Sequence, residues 1–229
     1  MSDKAQNCCA VIPAYREEGR IGGVVQAVRR ILPAVVVIDD GSDDGTAAEA
    51  EAAGATVLRH GVNQGKGTAL DNGFRRARED GFETVVTLDA DGQHAPEDIP
   101  GFLEAYRREG TPVLVGNRMS DPAGMPFVRR MTNRYMSWLL SRKMGQRVPD
   151  TQCGFRLYRC DVLAGVGCGS ARFDAESEIL LALARKGVRM GAVPIRVIYG
   201  DEKSKIHPVR DTIRFYRMLH RFEKETKPS

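Results

Sequence analysis

Three things are scarce in this chain, and each scarcity closes off a class of protein. Long apolar runs are missing: no window approaches the roughly 18 consecutive apolar residues of a membrane-crossing helix, so membrane contact is expected only at a surface. Cysteine is sparse and badly spaced for ligation. The five cysteines (Cys8, Cys9, Cys153, Cys160 and Cys168) contain no CxxC pair, which argues against a disulfide scaffold or a zinc site and for reduced thiols. Cys8 and Cys9 fall in an apolar run and read as core. Excess charge is small, at +4, too little for a general nucleic-acid binder, so nucleic acid is not an expected partner. The first residues are polar, and the apolar stretch after them is too short for a secretory leader. The expected location is cytoplasmic, extending to the inner face of the plasma membrane.

What is present is 229 residues with enough apolar content, 42%, to bury the core of a large α/β domain. Short apolar runs at Cys8–Pro13, Val35–Asp39, Thr56–Arg59, Thr84–Asp89 and Val113–Gly116 predict strands. Between them, Glu17–Arg30, Thr46–Ala53, Thr68–Glu79 and Pro96–Arg108 carry helical periodicity. Strands that are apolar throughout predict a mostly parallel central sheet flanked by helices. After about Asp121 the rhythm changes. Met125–Met144 is basic and apolar, Asp150–Arg159 reads as turn plus strand, and Asp174–Lys186 as a helix closed by Gly187. Met190–Val197 reads as a strand, Asp201–His207 as a polar loop and Val209–Phe222 as an amphipathic helix. A single domain is expected over residues 1–229. Its nucleotide-binding half runs from about 8 to 120, and its acceptor half from about 121 to 229.

Ligands of open parallel sheets bind beyond the carboxyl ends of the strands. Four of the five predicted strand ends carry polar clusters: Pro13 to Glu17, Asp39 to Thr46, Asp89 to Gln93, and Gly116 to Arg118. Asp89 and Asp91 sit two apart at a strand end, suited to a hard cation, Mg²⁺ or Mn²⁺, that keeps positions open for phosphate. Such a metal neutralises the charge on a diphosphate leaving group. Gln93 offers a further oxygen, and His94 reads as a neighbour rather than a ligand. No GxGxxG follows the first strand, and Asn63 to Thr68 lacks the GxxxxGK frame of a P-loop. Its glycines still permit a tight turn into a helix, with Lys66 either touching the ligand or standing in solvent.

In order, these clusters and the Gly154-Phe155-Arg156 turn resemble the family 2 glycosyltransferases of GT-A fold. Within them the chain looks most like the polyprenyl- or dolichyl-phosphate mannose or glucose synthases, without their transmembrane region. The resemblance covers about residues 8–206. It implies an inverting transfer of mannose or glucose from GDP-mannose or UDP-glucose to a polyprenyl phosphate. Pro13, Tyr15 and Glu17 would line the nucleoside pocket, with Asp39, Asp40, Lys66 and Ala90. Asp89 would face the donor, while Asp91 and Gln93 would hold the metal. Asp91 and Arg118 would carry the catalysis, Arg118 reaching the phosphates. Arg129 or Arg130 would meet the acceptor phosphate, Lys205 would lie near the diphosphate, and Asp150 would shape the sugar site.

A phosphate acceptor attacks without a general base, whereas an alcohol acceptor wants a carboxylate. Asp174 and Glu176 are available for that role, or are acids favoured by a helix N-terminus. A protein that binds nucleotide sugars without turnover is the remaining alternative, and the complete Asp89, Asp91 and Gln93 set argues against it. Residues 125–147 carry six basic side chains and no acid, interleaved with Phe127, Tyr135, Trp138 and Leu139. That pattern fits an interfacial helix on anionic headgroups. It equally fits a helix packed on the sheet or a homodimer contact.

Overall fold

The computed structural model describes residues 7–122, 124–166, 175–196, 198 and 215–220. Its strands are β1 (Cys8–Ala14), β2 (Ala34–Asp39), β3 (Thr56–Arg59), β4 (Thr84–Thr87), β5 (Val113–Asn117), β6 (Arg156–Arg159) and β7 (Met190–Pro194). They form one sheet in the order β3-β2-β1-β4-β6-β5-β7. β6 alone runs against its neighbours; every other pairing is parallel. The carboxyl ends of the six parallel strands therefore share one edge of the sheet, and the amino end of β6 joins them there. The mostly parallel sheet is as expected. The antiparallel strand brings residues 150–155 against the turn after β4.

The helices are α1 (Ile21–Arg29), α2 (Thr46–Ala52), α3 (Lys66–Glu79), α4 (Ile99–Glu109), α5 (Phe127–Met144) and α6 (Ala175–Arg185). Phe155 and Tyr158 lie three apart along one extended segment and so project to opposite faces of the sheet. Tyr158 takes the edge of Phe74 from α3 at 5.3 Å, and Phe155 takes Phe102 from α4 at 4.7 Å. Each of these fully covered rings contributes about 1.5–3 kcal/mol of apolar transfer. Both faces are thus sealed, and strands such as β1, apolar at nearly every position, are buried along their length. A second cluster joins Met136 and Leu140 of α5, Leu181 of α6, and Phe215, Met218 and Leu219 of the helical stretch 215–220.

Most boundaries differ from the sequence expectation by a residue or a few, and four of the differences bear on the site. α1 begins at Ile21 rather than Glu17, because the Glu17 carbonyl first accepts the Arg20 and Ile21 N–H groups in a tight turn. Residues 15–20 are left as a loop. β4 ends at Thr87, which frees Leu88 to Gln93 to turn. α3 begins at Lys66 rather than Thr68, which places that lysine on the helix's first turn. β7 ends at Pro194, three residues short. The expected loop 201–207 and most of the expected final helix lie outside the described residues. Cys8, Cys9, Cys153 and Cys160 are free and buried, and burial pushes the Cys8 thiol up to about 12.

Candidate active site

The turn after β4 is built from its own acids. Asp91 Oδ1 accepts the Gln93 N–H at 2.9 Å, which curls the chain just after Asp89 and Asp91. His94 is buried beneath them. Its Nδ1 accepts the Asp89 N–H at 3.2 Å, so the proton resides on Nε2. Burial, only partly opposed by Asp89, pulls its pKa below the ordinary value and keeps it neutral. His94 therefore braces the turn.

Lys66 spans the crevice. Its Nζ lies 2.5 Å from Asp89 Oδ1 and 2.5 Å from Glu176 Oε1, on the first turn of α6. Burial works against the lysine's charge, but the two carboxylates overcome it and hold its pKa above the usual value. Burial would likewise raise Asp89; Lys66 outweighs it and holds the carboxyl well below the usual carboxylate range. Two carboxylates (Asp89 and Glu176) thus hold one ammonium between them, and the cluster stays net negative. Among the described residues no group of three His, Cys, Asp or Glu side chains forms a ready-made metal cage.

Arg118 follows β5 directly and is buried. It forms a fork with Asp150: Nε donates to Oδ2 at 2.7 Å, Nη2 to Oδ1 at 2.8 Å, and its backbone N–H to Oδ2 at 3.2 Å. Burial opposes its charge, yet the Asp150 hydrogen bonds keep its pKa above the ordinary value. Sequence reasoning assigned these two residues separate tasks; the fold makes them one unit. Arg156, fully buried, does comparable work with neutral partners. It donates to the carbonyls of Thr151, Cys153 and Glu176 and to the Tyr158 hydroxyl, tying the 151–154 turn to α6. Thr87 Oγ1 donates to the Gly154 carbonyl at 2.8 Å and closes that turn on β4.

At the end of β2, Asp39 and Asp40 are both buried but differently employed. Asp39 Oδ1 accepts the Ser42 N–H at 3.0 Å; its Oδ2 lies 3.2 Å from Arg59 Nε but makes no hydrogen bond. Asp40 uses both oxygens on the loop before α3 and on His60. Pro13 is half-buried at the end of β1, and Ala90 is buried. Tyr15 is exposed, with the Arg16 guanidinium 5.3 Å from its ring. The Glu17 N–H donates to Thr46 Oγ1 and its carboxylate accepts from Arg20. Arg129 and Arg130 are half-buried on the first turn of α5, and Arg130 lies over the Phe127 ring at 5.5 Å. Asp174 and Lys205 lie outside the described residues.

The Lys66–Glu176 bridge, the Arg156 knot and the environment of Asp40 were missed by sequence reasoning. Each joins residues far apart in the chain. Gly154 carried the one usable signal, since a glycine beside an acid cluster marks close approach.

A sheet of this order, with a carboxylate turn after β4 and cationic side chains across from it, is the GT-A nucleotide-sugar arrangement. The chain shares its fold with glucosyl-3-phosphoglycerate synthase of Mycobacterium tuberculosis, crystallised with Mn²⁺, UDP and phosphoglyceric acid. The TM-score is 0.70 at 19% identity, covering 97% of this chain and 79% of that one. The model of glycosyl transferase family 2 matches residues 9–167, and the chain belongs to that family: it is a glycosyltransferase. It is 32% identical to the undecaprenyl-phosphate mannosyltransferase of Micrococcus luteus, over 82% of each chain. It is 30% identical to a UDP-N-acetylglucosamine–dolichyl-phosphate N-acetylglucosaminyltransferase of Methanococcus voltae, over 83% of this chain and 85% of that one.

Proposed function

We propose that this glycosyltransferase moves a hexose, mannose or glucose, with inversion from a nucleotide diphosphate to a polyprenyl phosphate at a membrane surface, using a divalent cation. The observation that carries the lipid acceptor is the outward face of α5. Phe127, Val128, Met131, Tyr135 and Trp138 are all exposed there, Trp138 at 56%. Arg130 and Arg142 lie over two of these rings. Aromatic side chains interleaved with arginine fit the boundary of an anionic bilayer. The relatives named for undecaprenyl and dolichyl phosphates support the same acceptor.

The donor set fits Mg²⁺ or Mn²⁺. Such a cation takes one or two carboxylates and completes its shell with phosphate and water. Asp91 commits only Oδ1 to the turn, and the Gln93 amide makes no hydrogen bond among the described residues, so these two would hold it beside Asp89. Bound there, it would neutralise the diphosphate as that group leaves. Lys66 and Arg118 add fixed positive charge to the same side, and Asp150 keeps Arg118 in place. Asp39 Oδ2, a buried acceptor without a hydrogen bond, suits an N–H of the base, with Arg59 alongside. A phosphate oxygen of the acceptor then bonds to the anomeric carbon as the bond to the diphosphate breaks. No proton has to be removed, and Glu176, tied to Lys66, is not needed as a base.

The test is a donor panel of UDP- and GDP-linked mannose and glucose with Mn²⁺ and polyprenyl phosphate in anionic vesicles. A glycosyl phospholipid is expected from one donor. EDTA or Asp91→Ala should lower its formation by about 100-fold or more, with thermal stability unchanged. Transfer to soluble alcohols alone, or indifference to both treatments, overturns the reading.

A further inference from the structure

Behind Lys66 runs a line of polar contacts that leads away from Asp89 and Glu176. Asp40, buried at the end of β2, accepts the N–H of Gln64 on Oδ1 at 2.8 Å and that of Gly65 on Oδ2 at 2.7 Å. Its Oδ1 also lies 2.7 Å from His60 Nδ1. A carboxylate only accepts, so Nδ1 carries the imidazole proton, and Nε2 is left as an acceptor. The Asn72 amide supplies the matching donor at 2.8 Å, and Arg75 fixes that amide's orientation by donating to its oxygen at 2.8 Å. The His60 and Asp40 side chains are 8% and 5% exposed.

The line ends where α3 begins. Gly65 has φ +92° and ψ 156°, a conformation open essentially to glycine alone. Gly65 has no side chain of its own with which to fix this geometry; the hydrogen bond from its N–H to Asp40 pins it. The next residue is Lys66, whose ammonium must reach Asp89 and Glu176 together. A flexible four-carbon stem reaches both only if its backbone is held.

We propose that Asp40, His60 and Asn72 are positioning residues that act on the nucleotide diphosphate through Lys66. Asp40 sets the Gln64–Gly65 turn, His60 orients Asp40, and Asn72 fixes the tautomer of His60. This inference rests on the donor reading given above.

The experiment is a double-mutant cycle read by calorimetry with UDP·Mn²⁺ and GDP·Mn²⁺ as probes. His60→Leu removes the donor to Asp40 and should raise the dissociation constant of the binding nucleotide by about tenfold. His60→Asn, whose amide can replace Nδ1–H, should stay within about twofold of the parent. Lys66→Ala weakens binding by itself, and adding His60→Leu to it should change nothing further, because the two act as one unit. Additive losses in the double variant overturn the proposal, as does a His60→Asn protein as weak as His60→Leu. Should His60→Leu fail to fold, Asn72→Leu, which removes only the outer donor, takes its place in the same cycle: no further loss beside Lys66→Ala upholds the proposal, and an additive loss overturns it. A parent that binds neither nucleotide defeats the donor reading itself, an outcome distinct from additivity.

Discussion

Among the described residues, the edge formed by β1, β2 and β4 turns its polar side chains toward one another, whereas α5 turns its apolar ones outward. Asp40, Asp91, Arg118 and Lys66 all have partners within the protein. Their positions are set before any ligand arrives, which is how electrostatic stabilisation avoids reorganisation during reaction. On α5 the large side chains of Phe127, Met131 and Trp138 forgo burial that is worth about 1.5–3 kcal/mol each. A helix serving only the core would have kept that energy. The contrast supports the proposed reading, in which the preset edge takes a soluble donor and the face of α5 meets an anionic bilayer. The two are joined physically: Ser137 of α5 accepts from the N–H of Thr151, next to Asp150.

The comparison is broken most severely at Asp150. Asp150→Ala leaves Arg118 buried with its charge uncompensated, and such a loss costs about 3–5 kcal/mol. Urea denaturation should show the unfolding free energy falling by that amount, through a lower midpoint at an unchanged slope. A loss below about 1 kcal/mol would mean that the pair is not fixed in place as inferred. Loss of nucleotide binding should accompany the change, because the guanidinium is no longer aimed.

On the other side, Trp138→Ala combined with Tyr135→Ala should leave nucleotide affinity alone and cost little stability, since both side chains are exposed and the Tyr135 hydroxyl gives up only its bond to Tyr216. Partitioning onto vesicles containing phosphatidylglycerol should fall by about tenfold or more, given the apolar area removed. Sedimentation with vesicles, beside calorimetry on the same preparation, separates the two halves. Unchanged sedimentation, or an altered molecular mass in solution, would instead assign this face to a protein contact.

Much of this architecture was legible in the chain. Apolar strands at β1, β2 and β4 leave little choice but a covered parallel sheet, and strand ends rich in Asp and Gly must then converge at one edge. The boundaries were less legible, because Glu17 and Glu18 suit the first turn of a helix, while the Glu17 carbonyl closes a tight turn ahead of Ile21. What could not be read was pairing at long range. That β6 enters antiparallel between β4 and β5 depends on the whole sheet, and only that insertion brings Gly154 against Asp89 and α6 against Lys66. The partners of Asp40 were hidden for a related reason. An aspartate beside a strand end reads as a ligand contact, and nothing local reveals that its oxygens serve a loop more than twenty residues away.

The mildest break of the comparison is at Gly154. A Cβ added there would stand 3.1 Å from both Asp89 oxygens and 3.2 Å from Glu176 Oε1. These are tight contacts with the ends of side chains, so they can yield by a few tenths of an ångström. The backbone at Gly154 is not in the left-handed region, so alanine is tolerated there. Gly154→Ala should therefore fold with a stability loss of about 1 kcal/mol or less. Its effect should appear instead in Lys66, which cannot hold two carboxylates that have been pushed apart. Affinity for UDP·Mn²⁺ or GDP·Mn²⁺, whichever the parent binds, should drop by about threefold, within the range expected for slight misplacement of one charged contact. If Gly154→Ala instead destabilises the fold and leaves nucleotide affinity intact, the close approach of β6 to β4 serves packing alone.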